Sequence, residues 1–438
     1  MGYRHGIVKK GIVLKIPDLS NSSNSPQAKQ PISLLQSLPK HRELDLPLFS
    51  SLPLLFMVMI KPLTDAFYEV EAVKYGYILL LGLASLFARY GLAFQGAVPD
   101  PRNKSLLVYC WLVALYFFFH LSLATVYGGS LSQIFKIVSP FVFFILVAFA
   151  ADRRMIYALA IGSLLTICIN AALLPFDFGW VQWGSVRTFK GYYFFKTDLA
   201  YALCFATLIY ALYSRNTITV VLALLIVMVA VQIILSNSRL NYLTFLIAVI
   251  FIAFKGGISF RFIIRFGLMF GVLALVIILV YDPTQLLGFD TSNERTFTQG
   301  RTDIWASLLI GIANFSVLEW LFGLGLSGDA ILAAENSLPG EKIHNAHNEI
   351  LHLLTTQGLF GLIFYGVLWI QMFRMSHSSD MPKWARGTGW IAILLFSLQG
   401  LTTVMSSFAT KTWPLVMVLL ILRGLSNTAD QRKQPSPP

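Results

Sequence analysis

Apolar runs long enough to cross a bilayer recur along this chain of 438 residues, from about residue 47 to residue 423. A membrane-spanning helix needs about 20 predominantly apolar residues. The runs are continuous stretches of Leu, Ile, Val and Phe, whereas the strands of a transmembrane barrel are short and alternating. Only 12% of the residues are charged, against about 25% in soluble domains. The pattern predicts an all-α fold, a polytopic transmembrane helical bundle.

Charge placement along the chain predicts the topology of this bundle. Lys and Arg cluster in alternate connections between the runs, so the positive-inside rule puts those connections and both termini in the cytoplasm. This accounts for the net charge of +12 without a nucleic-acid partner. The three cysteines lie in apolar runs, where we expect packing roles. We predict about twelve spans, at 47–63, 72–88, 105–124, 132–150, 155–174, 197–213, 218–235, 240–254, 263–281, 349–373, 387–404 and 409–423.

The composition outside the runs predicts three regions. Residues 1–46 are polar and basic, without an evident cleavable signal peptide, and are expected to form a disordered cytoplasmic tail. Residues 47–424 form the transmembrane domain, and residues 425–438 a second cytoplasmic tail. The connection at 282–348 is by far the longest, and loops beyond about 15 residues usually carry function. We expect short helices in this loop, which the topology places in the periplasm.

Several cations on the outer face are candidate anion-binding residues. Arg239 stands between two apolar runs, and Arg301 opens a helix-like piece of the long loop. Each is equally well explained as a guanidinium fork for phosphate or as a simpler feature, a snorkelling arginine or a local ion pair. Arg187, Lys190 and Lys196 lie in an aromatic-rich outer segment. They fit either a pyrophosphate site or an interfacial belt.

A polar cluster at the end of the long loop, from His344 to Glu349, carries the clearest chemical signal. Histidine suits proton transfer near neutral pH, so His347 is a candidate general base. Zinc proteases need His-Glu-x-x-His, which this spacing does not give. We therefore expect no metal and no cofactor. His352 lies deeper in the following run and is expected to be a packed, hydrogen-bonded residue.

These residues form a pattern that resembles a known family. Ser238-Arg239 begins a span, and Gly300-Arg301-x-x-x-Trp305 and Gly323-Leu-Gly325 follow it. Then comes His347-Asn348-x-x-Leu-x-x-Leu-x-x-x-Gly358-x-x-Gly361. The pattern, over about residues 220–375, resembles the O-antigen ligase and O-antigen polymerase superfamily of bacterial membrane glycosyltransferases.

The resemblance implies a metal-independent enzyme that moves a glycan from undecaprenyl diphosphate to an acceptor hydroxyl at the periplasmic face of the inner membrane. It implies that His347 activates the hydroxyl, and that Arg239, Arg301 and Arg187 hold the diphosphate. Asn348, His344, Lys190 and Lys196 are supporting candidates. The segment Lys196-Thr-Asp198 departs from the family pattern, which leaves the roles of Lys196 and Asp198 open.

The acceptor stays open at this point. Ligation to lipid A-core is the favoured activity, and polymerisation of O-antigen or exopolysaccharide repeat units onto a growing glycan is the alternative. A protein O-oligosaccharyltransferase is less favoured. The rival from another class is a lipid-linked sugar transporter, but acidic residues deep in the spans, which such transporters usually carry, are scarce. The expected partners are the lipid-linked donor, the acceptor and membrane lipids, and not nucleic acid.

Overall fold

The structure is a computed structural model that describes residues 48–64, 67, 70–93, 102–183, 186–215, 217–257, 301–336, 346–378, 381–406 and 409–431. The predictions for the tail at 1–46, the span at 263–281 and His344 lie outside the described residues.

Five helices and a β-hairpin make up the first half of the described chain. A 3-10 turn at Asp177–Gly179 leads into the hairpin, whose strands pair antiparallel. The hairpin is a departure from the predicted all-α fold. Its Trp, Val and Thr residues lie in the aromatic-rich outer segment, where no strand was predicted. In chain order the elements are α1 (Leu48–Thr64), α2 (Glu71–Ala93), α3 (Arg102–Tyr127), α4 (Leu131–Ala148), α5 (Met155–Ala172), β1 (Trp180–Trp183) and β2 (Val186–Phe189).

Nine further helices follow in the described part of the chain. Three of them, α9 to α11, fall in the long loop where short helices were predicted. The last helix continues past residue 424, where the transmembrane domain was expected to end. The helices are α6 (Lys196–Tyr213), α7 (Val220–Ser236), α8 (Arg239–Lys255), α9 (Arg301–Ala313), α10 (Val317–Phe322), α11 (Gly328–Asn336), α12 (Glu349–Ser376), α13 (Thr388–Gly400) and α14 (Ala409–Gln431).

The described helices confirm a predominantly helical protein with membrane-spanning segments. Four segments are long and apolar enough to cross a bilayer, namely 104–127, 131–148, 155–172 and 349–376. Shorter apolar helices lie at 51–64, 75–89, 220–236 and 388–400. The described helices overlap the predicted spans, but the count of twelve and the periplasmic position of the long loop stay predictions.

Helix α14 lies at the centre of the bundle. Every residue from Lys411 to Ser426 is buried, and the helix packs against α4, α5, α6, α12 and α13. Near its far end the buried Arg423 donates hydrogen bonds to the carbonyl oxygens of Ala148 and Met375, each at 3.1 Å. These carbonyls belong to the last turns of α4 and α12, which lack partners within their own helices and attract cations. Arg423 therefore ties three helix ends together.

Helix α12 is interrupted at Gly358, with φ of 64° and ψ of −168°. This backbone region is essentially restricted to glycine. A Cβ at this position would collide with the backbone of Leu321 and Phe322, at the end of α10. The missing side chain thus lets α10 lie directly against the backbone of α12.

The turn after α10 completes this backbone-to-backbone contact. Gly323 has a φ of 71°, and a Cβ there would lie 2.5 Å from the backbone nitrogen of Gln357. The N–H of Leu324 donates to the carbonyl of Thr355 at 2.8 Å. Non-helical backbone near a membrane is tolerated where protein satisfies its polar groups, as it does here. The glycines therefore fasten the loop helices to the first turns of α12.

Candidate functional site

Charged side chains gather at the amino-terminal ends of five helices. The amino terminus of a helix carries partial positive charge, because its first N–H groups have no partner within the helix. Anions therefore bind favourably at such ends. Lys196, Arg239, Arg301 and Glu349 are the first residues of α6, α8, α9 and α12, and Lys411 is the third residue of α14.

The charges of these side chains are close enough to act on one another. Burial lowers the pKa of Lys196, and the charge of Arg239 lowers it further. Burial, and then the charge of Arg239, likewise lower the pKa of Arg301. Lys411 lies within electrostatic range of both Arg301 and Glu349. Lys196, Arg239, Arg301 and Lys411 thus form one group, the cation cluster.

A tight turn between α7 and α8 places Arg239 in the cation cluster. Asn237 ends α7 in the left-handed conformation, with a φ of 49°, and Ser238 then adopts an extended backbone. The Asn241 amide donates to the Ser238 hydroxyl at 2.8 Å and to the carbonyl of Thr197 at 3.4 Å. The first turn of α8 is therefore fixed against the first turn of α6, which brings Arg239 towards Lys196.

Lys411 is a member of the cluster that the sequence analysis missed. Its ammonium lies 3.6 Å from the Asp198 carboxylate, and the two side chains are only 7% and 0% exposed. The signal was present, because an ionisable residue in an apolar run marks a functional candidate. The prediction of an ordinary span at 409–423 does not account for it. Asp198 lies more than 200 residues away in the sequence, so no local pattern links the two members of the pair.

His347 stands at the start of α12 in an unusual backbone conformation. Its φ of 49° is left-handed, which is uncommon outside glycine. The next residue, Asn348, caps α12 by accepting the N–H of Leu351 at 3.1 Å. The Asn348 amide also donates to the carbonyl of Leu401 at 3.1 Å. His347 is half-buried at this junction between the loop helices and the bundle.

Glu349, two residues after His347, anchors the connection between α13 and α14. Its buried carboxylate accepts the backbone N–H groups of Met405 at 2.5 Å and Ser406 at 3.1 Å. Glu349 is also within electrostatic range of Lys411, a member of the cation cluster. His347 and the cation cluster therefore occupy the same end of the bundle.

His352 is a buried, hydrogen-bonded residue, as predicted. Its Nδ1 lies 2.8 Å from Oδ2 of Asp329, on α11, and both side chains are buried. Burial raises the pKa of Asp329, but the charge of His352 and the N–H groups of Ala346 and Ala330 outweigh that effect and lower it. Asp329 is a second residue that the sequence analysis missed, because no motif includes it.

Two predicted site residues, Arg187 and Lys190, contact the hairpin and the 3-10 turn that leads into it. Arg187 pairs with Asp177 and lies over the ring of Trp180, 5.2 Å from its centroid. Lys190 lies 5.0 Å from the centroid of Phe178. In the described part of the chain, no hydrogen bond, ion pair or ring contact joins either cation to the cluster. Their role in binding diphosphate stays a prediction.

The described residues contain no group of three or more His, Cys, Asp or Glu side chains that is placed to hold a metal ion. His344, which was predicted to support His347, lies outside those residues. The expectation of metal-free catalysis therefore stays a prediction.

Fold and site together define a helical membrane protein with a cationic site at one end of its bundle. Residues 224–366 match the protein family described as O-antigen ligase, which confirms the predicted resemblance to the O-antigen ligase and polymerase superfamily. The matched segment contains Arg239, Arg301 and His347. It supports a membrane glycosyltransferase of the ligase or polymerase type. No individual curated protein matches the chain.

Proposed function

We propose that the protein transfers a glycan from undecaprenyl diphosphate to an acceptor hydroxyl at the periplasmic face of the inner membrane, with lipid A-core as the favoured acceptor. The observation that carries this proposal is the cation cluster, which gathers at helix amino termini at the same end of the bundle as His347. A diphosphate diester needs such a concentration of positive charge, and helix amino termini add to it.

His347 acts as the general base in this proposal. The acceptor hydroxyl oxygen attacks the anomeric carbon of the donor sugar while its proton passes to a neutral nitrogen of the His347 imidazole. The bond between the anomeric carbon and the diphosphate oxygen breaks, and its electron pair leaves with the diphosphate. A single displacement of this kind inverts the configuration at the anomeric carbon.

The cation cluster stabilises the charge that develops on the leaving diphosphate. Preorganised cations contribute most to catalysis when they face the atoms on which charge develops. Two guanidinium groups and two ammonium groups supply this charge without a metal ion.

The test of this proposal is replacement of His347 by alanine. Removal of a general base slows transfer about 10²–10⁴-fold, so His347→Ala should give no detectable product in cells that carry only this variant. The control is His377→Ala, which removes the histidine at the opposite end of α12, where it stacks on Phe373. Normal surface glycan with His347→Ala, at normal protein level, would contradict the base role.

Deletion of the gene distinguishes the acceptors. A ligase defect leaves the core without O-chain and causes lipid-linked polymer to accumulate, which is the expected result. A single repeat unit on the core would instead identify a polymerase. Unchanged lipopolysaccharide with lost exopolysaccharide would identify an exopolysaccharide polymerase.

A further inference from the structure

Ala346, which precedes His347, is held by hydrogen bonds at both its backbone N–H and its backbone carbonyl. The indole N–H of Trp305, on α9, donates to the carbonyl of Ala346 at 2.8 Å. The N–H of Ala346 donates to Oδ2 of Asp329, on α11, at 3.0 Å. Ala346 is itself fully buried. Two helices of the loop therefore fix the chain just before it enters His347.

Two residues after His347, Asn348 and His352, are also fixed, and His352 contacts the same Asp329 carboxylate. The Asp329 oxygen that accepts the Ala346 N–H also lies 2.8 Å from Nδ1 of His352, in the second turn of α12. Asn348 is bound to the first turn of α12 and to the carbonyl of Leu401. His347 thus stands between two anchored neighbours, Ala346 and Asn348, and Asp329 joins Ala346 to His352.

This arrangement accounts for the left-handed backbone of His347. A non-glycine residue seldom adopts a φ of 49° and keeps it only where its surroundings impose it. The hydrogen bonds to Ala346 and the cap at Asn348 are such surroundings. A residue held in this way has its Cα–Cβ bond fixed in one direction.

Helix α9 also connects His347 to the cation cluster. Its first residue is Arg301, and Trp305 lies about one turn later on the same side of the helix. The helix that brings a guanidinium to the diphosphate therefore also holds the backbone of the base. A shift of α9 would move both groups together.

We infer that Trp305, Asp329 and His352 are positioning residues, which hold His347 in register with the diphosphate carried by Arg301. The inference rests on the proposed function, because it assigns these residues to that same reaction. None of the three contacts the reacting atoms in this assignment. They act through the backbone of Ala346 and His347.

The test uses purified variants in nanodiscs, with donor and acceptor lipids extracted from cells that lack the gene. Asp329→Ala and Trp305→Phe should each lower kcat about 10²-fold, because a base displaced by 1 Å loses that much, and should leave the KM for the donor unchanged. Asp329→Asn keeps an oxygen that accepts the Ala346 N–H, so its kcat should lie between those of Asp329→Ala and the wild type.

Two controls separate positioning from loss of fold. Glu335→Gln changes an exposed carboxylate on α11, and Trp320→Phe changes an exposed indole on α10, and both should retain the wild-type kcat. The stoichiometry of undecaprenyl diphosphate binding counts the folded sites, so kcat is expressed per binding site. Misfolded protein lowers this stoichiometry and does not lower kcat per site.

The outcomes of this experiment distinguish the inference from the proposed function. Wild-type kcat per site in Asp329→Ala and Trp305→Phe, with His347→Ala inactive, would overturn the positioning role and leave the base role standing. An active His347→Ala would overturn both. A fall in binding stoichiometry with unchanged kcat per site would show that Asp329 and Trp305 serve stability alone.

Discussion

The cation cluster combines two guanidinium groups with two ammonium groups, and these two kinds of cation bind phosphate differently. Arginine presents a planar fork that matches two oxygens at once, whereas lysine is a compact point charge. Arg239 and Arg301 therefore suit the diphosphate oxygens that need a defined orientation. Lys196 and Lys411 add charge without fixing direction. The cluster thus provides both geometry and charge for the proposed leaving group.

Replacement of Arg239 by lysine separates these two contributions. Arg239→Lys keeps the charge and removes the fork, so kcat/KM for the donor should fall about 10-fold or more. The assay is glycan transfer by purified protein at fixed ionic strength. Arg215→Lys is the matched control, because Arg215 follows the opposite end of α6. An unchanged kcat/KM in Arg239→Lys would exclude bidentate binding.

Substitution of Lys411 tests whether its buried ion pair with Asp198 only stabilises the fold or whether Lys411 also binds substrate. Lys411→Met alone leaves the buried Asp198 carboxylate without its partner, which costs about 3–5 kcal/mol of stability. The double variant Lys411→Met/Asp198→Asn removes both charges and should recover much of that stability. It should still raise the KM for the donor about 10-fold, since a hydrogen bond to a charged group is lost.

Thermal unfolding in detergent and steady-state kinetics measure the two effects. Lys61→Met is the control, because it removes another buried lysine, which lies over the ring of Trp413. Its donor KM should not change. A double variant with wild-type KM would show that Lys411 serves only the ion pair with Asp198.

At the scale of elements, the interruption of α12 allows a short, charged first segment to precede a long apolar one. The first segment carries Glu349 and His352 and is held by the loop helices. The second, beyond Gly358, is the apolar part of the candidate span. A Cβ at Gly358 would force the backbones of α10 and α12 apart, because it would collide with the backbone of Leu321.

Alanine at Gly358 tests this interruption. Gly358→Ala should destabilise the protein by about 2 kcal/mol or more, because the backbone conformation is strained for alanine and its Cβ collides with α10. Gly366→Ala, in the same helix, is the matched control, since a Cβ there meets nothing within 4 Å. Thermal unfolding in detergent compares the two variants, and equal stability would contradict a required kink.

At the scale of the whole molecule, the two ends of the central helix α14 carry buried cations with different roles. Lys411 lies at the end of α14 that faces the cation cluster, and Arg423 binds the carbonyl ends of α4 and α12 at the other. The helix dipoles of α4 and α12 favour Arg423 at their carboxyl ends, whereas the dipole of α14 opposes Lys411 at its amino end, where the lysine pairs with the Asp198 carboxylate. One end of the bundle therefore carries the charges of the proposed diphosphate site, and the other joins three helix ends through Arg423.

Orientation in the membrane is tested by cysteine labelling. In a variant whose native cysteines are replaced, Gln182→Cys in the hairpin should react in spheroplasts with a maleimide that cannot cross membranes. Lys383→Cys, between α12 and α13, should react only after permeabilisation. The reverse pattern would place the cation cluster in the cytoplasm and contradict the proposed periplasmic reaction.

Local patterns predicted much of this protein, because they depend on neighbouring residues. Apolar runs predicted where helices form, and the helix-like piece at Arg301 is the start of α9. The candidate motif brought out Arg239, Arg301 and His347, all within the matched family segment. Gly358 is part of that motif, but the sequence does not show why a glycine is needed there. The need arises because Leu321, on another helix, approaches the backbone at Gly358.

The sequence by itself determined a helical membrane protein and a family motif rich in arginine and histidine. Only the tertiary structure decided that Asp329 and Trp305 hold Ala346, and that Lys411 joins the cation cluster. The physical reason is distance along the chain. Helix formation follows from apolar patterns within a few turns, whereas a charged pair such as Lys411 and Asp198 exists only once two distant helices pack together.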